Sequence, residues 1–361
     1  MTKFVSRFFF VSIILLLSSC ASRGPLQIEQ DRFDYGSFMA DSWKNQGLMN
    51  IVRMRYLDWP VFMEIQQVLT SYKWEVIPAA KAEIKIPQGD TANRIEGLIT
   101  AKYSESPTVL YQPLSGAAYS KAMLSPARPG VLFALIKTGF PADQLFRTSV
   151  HSINGFHNEH LEDIQMHQAT DEFIAFVNLL RKLQIKNAVS VDIRTTKRSA
   201  ERVILKFRSQ NMDQDSLNEW MEVKKRLGLS SSSDQYKVVF GSHSFDPNVL
   251  AIRTRSILQV MQTLSAYVEV PEDELANNLV PILEIDESQG NGNEYEPLIK
   301  ILSGPKAPDD AYAAIKYRGN WFWIPDTEAR SKGTFQFLSL LLTITESGES
   351  GGGQVVIPAG G

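Results

Sequence analysis

The stretch NAVSVDIRTTKRSAERVILKF, residues 187–207, decides the fold class. Val189, Val191 and Ile193 alternate with Ser190, Asp192 and Arg194, and Val203, Leu205 and Phe207 are separated by Ile204 and Lys206. Strand side chains point to opposite faces with a period of two, so the pattern predicts two strands, each with one apolar face. On both sides the apolar period lengthens to that of a helix. Phe173, Phe176, Val177, Leu180 and Leu183 form one stripe, with Thr170 or Asp171 placed to cap it, and 216–227 forms another, stopped by Gly228. Strands at 236–240 and 249–252 follow, then a helix at 257–268 marked by Ile257, Val260, Met261, Leu264 and Val268. A strand at 298–302, the hairpin AAIKYRGNWFWI at 313–324 and a helix at 331–345 complete the pattern. Locally paired strands separated by helices predict an α+β fold, with mainly antiparallel sheets and helices packed on one face. A strand, strand, helix rhythm recurs after residue 188 with no residue-level repeat beneath it.

Toward the N-terminus, Tyr35, Met39 and Trp43, then Leu48, Ile51, Val52 and Arg55, predict a helix over 33–56, closed by Trp59-Pro60. Segments 61–76, 94–103 and 107–114 read as strands, and 131–138 and 142–153 as short helices separated by Gly139 and Pro141. Charge and histidine replace apolar periodicity near 155–170, which places a domain boundary there. The expected division is an N-terminal region over 33–160, a C-terminal α+β domain over 161–346 and a flexible Gly-rich tail over 347–361. Residues 230–234 and 287–296 read as loops, and the apolar 355–358 within the tail is suited to joining a sheet edge.

Hydrophobic residues make up 43% of the 361, enough for a sizeable core, and a formal charge of −3 offers nothing to nucleic acid. The first twenty residues are different. Lys3 and Arg7 precede FFFVSIILLL, a run about half the ~20 residues that span a bilayer, and small residues follow. This is the order of a secretory signal. The LSSC at 17–20 resembles the lipobox of bacterial lipoproteins, which implies that residues 1–19 are removed and that Cys20 carries lipid. Removal leaves 342 residues and takes away two positive charges, and residues 20–32 become a lipidated tether. Ala21 and Ser22 follow, without the Asp that marks inner-membrane retention in many such proteins, so the resemblance implies the outer membrane. Two or more acyl chains hold stably where one holds marginally. Cys20 is the single cysteine, so disulfides within the mature chain are excluded.

Two stretches carry candidate sites. HSINGFHNEHLEDIQMH, residues 151–167, holds His151, His157, His160 and His167, with Glu159, Glu162 and Asp163 among them. Imidazole and carboxylate together bind Zn²⁺ or a similar ion, although no HExxH pattern is present; the plain alternative is a solvated polar linker. In YRGNWFWIPD, residues 317–326, Arg318, Gly319 and Asn320 suit a tight turn, with Trp321 and Trp323 on one face and Phe322 on the other. The tryptophans are suited to stacking on a sugar or peptide, and as bulky aromatics they suit a core still better. P-loop and GxGxxG motifs are missing, and no catalytic residue and no cofactor is read from the sequence. Asp309-Asp310 and Glu272-Asp273-Glu274 lie in turn or helix-start contexts, where acids favour the helix dipole.

The ordered blocks NIVRMRYLDWPVFMEI, SPTVLYQPLSG, HSINGF and YRGNWFWIPDTEARSKGTFQFL resemble a group of uncharacterised proteobacterial lipoproteins along nearly the whole chain. That resemblance implies one shared architecture with a lipid anchor and transfers no activity. The expectation is an outer-membrane protein held through Cys20, its folded part facing the periplasm, acting as a non-catalytic binding or scaffolding component with an envelope protein as partner. The alternative is an anchored glycan-binding protein or hydrolase using Trp321 and Trp323.

Overall fold

A computed structural model describes residues 24–79, 98–196, 199–286 and 297–346. Cys20, and with it the segments 1–19, 287–296 and 347–361 read above as signal, loop and tail, lie outside the described residues. The described helices and mostly antiparallel strands form an α+β fold. Two compact units are present: residues 61–116, and everything else.

In the larger unit, β7 (Val189–Thr196) and β8 (Ser199–Phe207) pair antiparallel with Val191 opposite Leu205 and Ile193 opposite Val203. Both apolar rows therefore share one face. β9 (Gln235–Phe240) runs antiparallel to β8, and β10 (Val249–Thr254) runs parallel to β9. β3 (Val150–Ile153) and β4 (Phe156–His157) complete a six-stranded sheet in the order β4-β3-β10-β9-β8-β7. Helices α2 (Pro129–Lys137), α3 (Ala142–Ser149), α4 (Asp171–Ile185) and α5 (Gln214–Arg226) pack around it. From α5, Trp220 stacks on Phe207 with ring centroids 3.8 Å apart and meets Tyr236 edge-on at 5.9 Å.

A second layer forms around α1 (Gly24–Arg55), which packs against α6 (Ile257–Ser265) and β13 (Ala313–Tyr317). β12 (Leu302–Gly304), β14 (Asn320–Ile324) and β13 make a three-stranded antiparallel sheet. In the β13–β14 turn, Arg318 at φ 48° and Gly319 at φ 94° give the double left-handed geometry a tight hairpin needs. Helix α8 (Ala329–Glu346) presses Phe335 onto α1, where a Cβ at Gly47 would stand 3.0 Å from the ring. The same unit holds α7 (Glu272–Ala276) and a small sheet of β11 (Glu284–Asp286), β6 (Gln165–His167) and β5 (His160–Glu162).

The unit of residues 61–116 is a long ribbon. Its strands β1 (Met63–Ala79) and β2 (Leu98–Pro113) pair antiparallel from Met63 opposite Pro113 to Ala79 opposite Leu98.

Several expectations are corrected. The two strands read at 94–103 and 107–114 are one over their described part, because residues 104–107 stay in register with 70–73; residues 94–97 lie outside the described residues. The helix expected over 142–153 ends at Ser149, since Val150 and Ile153 are fully buried in β3, which pairs with β10. The strand expected at 298–302 is confined to 302–304, preceded by a single bridge from Ile301 to Val268. Residues 24–32 of the expected tether are helical and continuous with α1. Finally, the chain does not part near 155–170: that segment pairs into the sheets of the larger unit, and the separate unit is 61–116.

Candidate metal centre

The four histidines read as candidate ligands converge. β5 and β6 form a hairpin through Asp163 and Ile164, with His160 opposite His167 and Glu162 opposite Gln165. Directly opposed residues of an antiparallel pair share a face, as do residues two apart on one strand. His160, Glu162 and His167 are thus set on one face, while Leu161 and the buried Met166 occupy the other. The rings of His160 and His167 stack with centroids 4.9 Å apart. His151 on β3 lies edge-on to His160 at 5.1 Å and to His157 at 5.5 Å.

Donor atoms gather more narrowly than rings. One nitrogen each from His160 and His167 and one carboxylate oxygen of Glu162 all lie within 4.8 Å of one another. His160 donates its Nδ1–H to the carbonyl of Asn158 at 2.9 Å, and its Nε2 stands 3.8 Å from the Glu162 carboxylate. His167 directs Nδ1 to Asp286 Oδ2 at 3.0 Å across the parallel β6–β11 pair, where His167 faces Asp286 in register. A carbonyl or carboxylate oxygen accepts, so each Nδ1 carries a proton and Nε2 is the ring nitrogen left to ligate. This is how metal-ligating histidines are oriented by their surroundings.

Burial favours the neutral form of His151 and His160. Desolvation, then the Arg255 charge, pushes the pKa of His151 down to about 3, and desolvation lowers that of His160 despite its hydrogen bond to Asn158. Neutral imidazole is the ligating form.

The segment is fixed from beneath by buried polar groups. Asn158, fully buried, donates its side-chain amide to the carbonyls of Arg147 and Val150, each at 2.7 Å, and its Oδ1 accepts from Glu159 N–H at 2.9 Å. Arg255 donates to the carbonyls of Arg147 and Thr148, both at 3.1 Å, and to that of Glu159. Glu159 points inward, away from the histidine face, and meets Arg147 at 3.5 Å and the Tyr267 hydroxyl at 2.9 Å. Thr170 caps α4 by accepting from Phe173 N–H and also donates its hydroxyl to the carbonyl of His157. A polar linker becomes an ordered platform.

The other candidate places differ. Phe322 and Ile324 are fully buried, Phe322 against Tyr56, whereas Trp321 and Trp323 lie half-buried on the opposite face of β14, Trp323 over Gly304. Of the Glu272-Asp273-Glu274 run, Glu274 is buried and accepts from Tyr56 and from Asn320, a structural use. A cleft of about 1250 Å³ beside α4 and α5 is lined by charges that pair among themselves, Lys182 with Glu219 at 2.7 Å and Arg226 with Glu222 at 3.1 Å. The sequence placed Glu162 near the histidines without assigning it a role and gave no sign of Asp286, which lies 119 residues beyond the histidine it contacts.

Comparison with known proteins finds no matching family model, no matching curated protein and no matching solved structure.

Proposed function

We propose that this chain is a lipid-anchored outer-membrane protein, held through Cys20 and facing the periplasm, that serves as a non-catalytic binding or scaffolding component of an envelope assembly. The signal order, LSSC and the lipoprotein-like sequence blocks support the anchor. The observation that carries the scaffolding role is the β1–β2 ribbon. Its strands are 17 and 16 residues long and, among the described residues, pair only with each other. A two-stranded ribbon is marginal alone in water, and the edge of such a ribbon is a surface to which another strand adds readily. Leu110 and Tyr111 are about half exposed near its base. Such a ribbon is suited to completion by a partner protein.

The test is crosslinking in intact cells followed by affinity purification of the tagged chain. One stoichiometric envelope partner is expected, lost when residues 63–113 are replaced by a short linker and lost from the outer-membrane fraction in Cys20→Ala. Retention of that partner by the ribbonless chain would contradict the scaffolding role, and unchanged outer-membrane fractionation of Cys20→Ala would contradict the anchor. Recovery of glycan fragments in place of a protein would favour the second reading, for which the half-buried Trp321 and Trp323 are the supporting observation.

A further inference from the structure

We infer that the β5–β6 hairpin is a binding site for a late first-row divalent cation, with Zn²⁺ as the expected occupant, ligated by His160, Glu162 and His167. The inference is independent of the anchor and of the ribbon.

The argument begins with register. A histidine, a carboxylate two residues on and a histidine directly across the pair place three donors on one face by backbone geometry alone. Two nitrogens and one oxygen make a borderline donor set, suited to Zn²⁺ and its neighbours; Ca²⁺ and Mg²⁺ take oxygen ligands, and the cluster holds no thiolate of the kind that favours Cu(I). Tetrahedral zinc with bonds of about 2.0–2.1 Å holds its ligand atoms roughly 3.4 Å apart. The donor atoms lie no more than 4.8 Å from one another, so small side-chain rotations bring them to that value, and Glu162, 72% exposed, is free to turn toward the two imidazoles.

Three observations separate this cluster from a chance group of polar residues. Both ligating imidazoles have Nδ1 tied to an oxygen acceptor, Asn158 O for His160 and Asp286 for His167, so both present Nε2. The Asp286–His167 pair supplies the carboxylate–histidine element that raises ligand basicity at zinc sites. Beneath them, Asn158 and Arg255 fix the backbone, so little ordering remains to be done when the ion arrives. Three protein ligands leave the fourth position to water or another small ligand, the arrangement of an exchangeable site. His157 and His151 lie against the His160 ring from outside the donor triangle.

The test uses the full chain purified in detergent, stripped with a chelator and titrated with Zn²⁺ against a chromophoric competitor, with Co²⁺ absorption reporting geometry. One Zn²⁺ per chain and a tetrahedral Co²⁺ spectrum are expected. His167→Ala should weaken binding at least 100-fold, Asp286→Asn by 10- to 100-fold and Glu162→Gln at least 10-fold, with His157→Ala unchanged. Glu162→Gln guards against misfolding, since this exposed side chain supports no packing. Absence of stoichiometric binding to folded chain, or equal affinity in Glu162→Gln and wild type, would overturn the assignment.

Discussion

Two hairpins in this molecule reverse what their sequences lead one to expect. The β1–β2 ribbon is long and rich in β-branched and aromatic residues, yet it forms a unit by itself with no third strand among the described residues. The β5–β6 hairpin has three-residue strands and a polar sequence, yet its flanks are among the most completely buried parts of the fold, with Asn158 and Glu159 fully enclosed. The difference lies in what each hairpin is attached to. Intrinsic strand propensity makes a ribbon without providing a core, whereas a few satisfied buried polar groups hold a weak strand firmly in place. The first arrangement leaves edges for a partner, and the second presents oriented side chains.

Arg255→Ala should break this contrast most severely. It removes a donor from three carbonyls; that of Arg147 keeps Asn158, while those of Thr148 and Glu159 lose the Arg255 bond at about 1–3 kcal/mol each, so a loss of about 2–6 kcal/mol in urea unfolding is expected. Asn158→Ala should cost about 2–3 kcal/mol by the same reasoning, with both variants binding Zn²⁺ more weakly because the platform loosens. Thr170→Ala, which removes a helix cap and a tie to β4, should cost about 1 kcal/mol in the same assay. The smallest effect is expected from the other hairpin. Leu114 N–H donates to Phe62 O at 2.9 Å, so the ribbon's ends are close enough for a short linker to replace residues 63–113. The remaining unit should keep its unfolding free energy within about 1 kcal/mol, as separate compact units do, while losing its partner.

The elements that alternate or repeat cleanly were legible in the sequence. Val191 and Leu205 face each other as their spacing requires, Gly228 at φ 66° ends α5, and Thr170 caps α4. The polar segment over 150–170 was less so, because its order comes from Arg255, about a hundred residues away, and no local pattern announces such a donor. For the candidate site, the sequence gathered the four histidines but could not choose among them. The choice depends on the two-residue turn at Asp163 and Ile164, which places His160 opposite His167 and leaves His151 and His157 on neighbouring strands. Asp286 was invisible for the same reason as Arg255: a parallel pairing over long separation leaves no periodicity behind.

Hydrogen exchange on the metal-free full chain tests the central contrast most directly, because it reads local opening strand by strand. The account predicts that amides of Asn158, Glu159 and Thr170, bonded to His151 O, Asn158 Oδ1 and His157 O, exchange as slowly as those of β8–β10, while the β1–β2 ribbon exchanges much faster. Added Zn²⁺ should slow 160–167 further and leave the ribbon unchanged. If residues 151–170 of the metal-free chain exchange as fast as the ribbon, the buried polar network does not hold the histidines in place and the account is wrong.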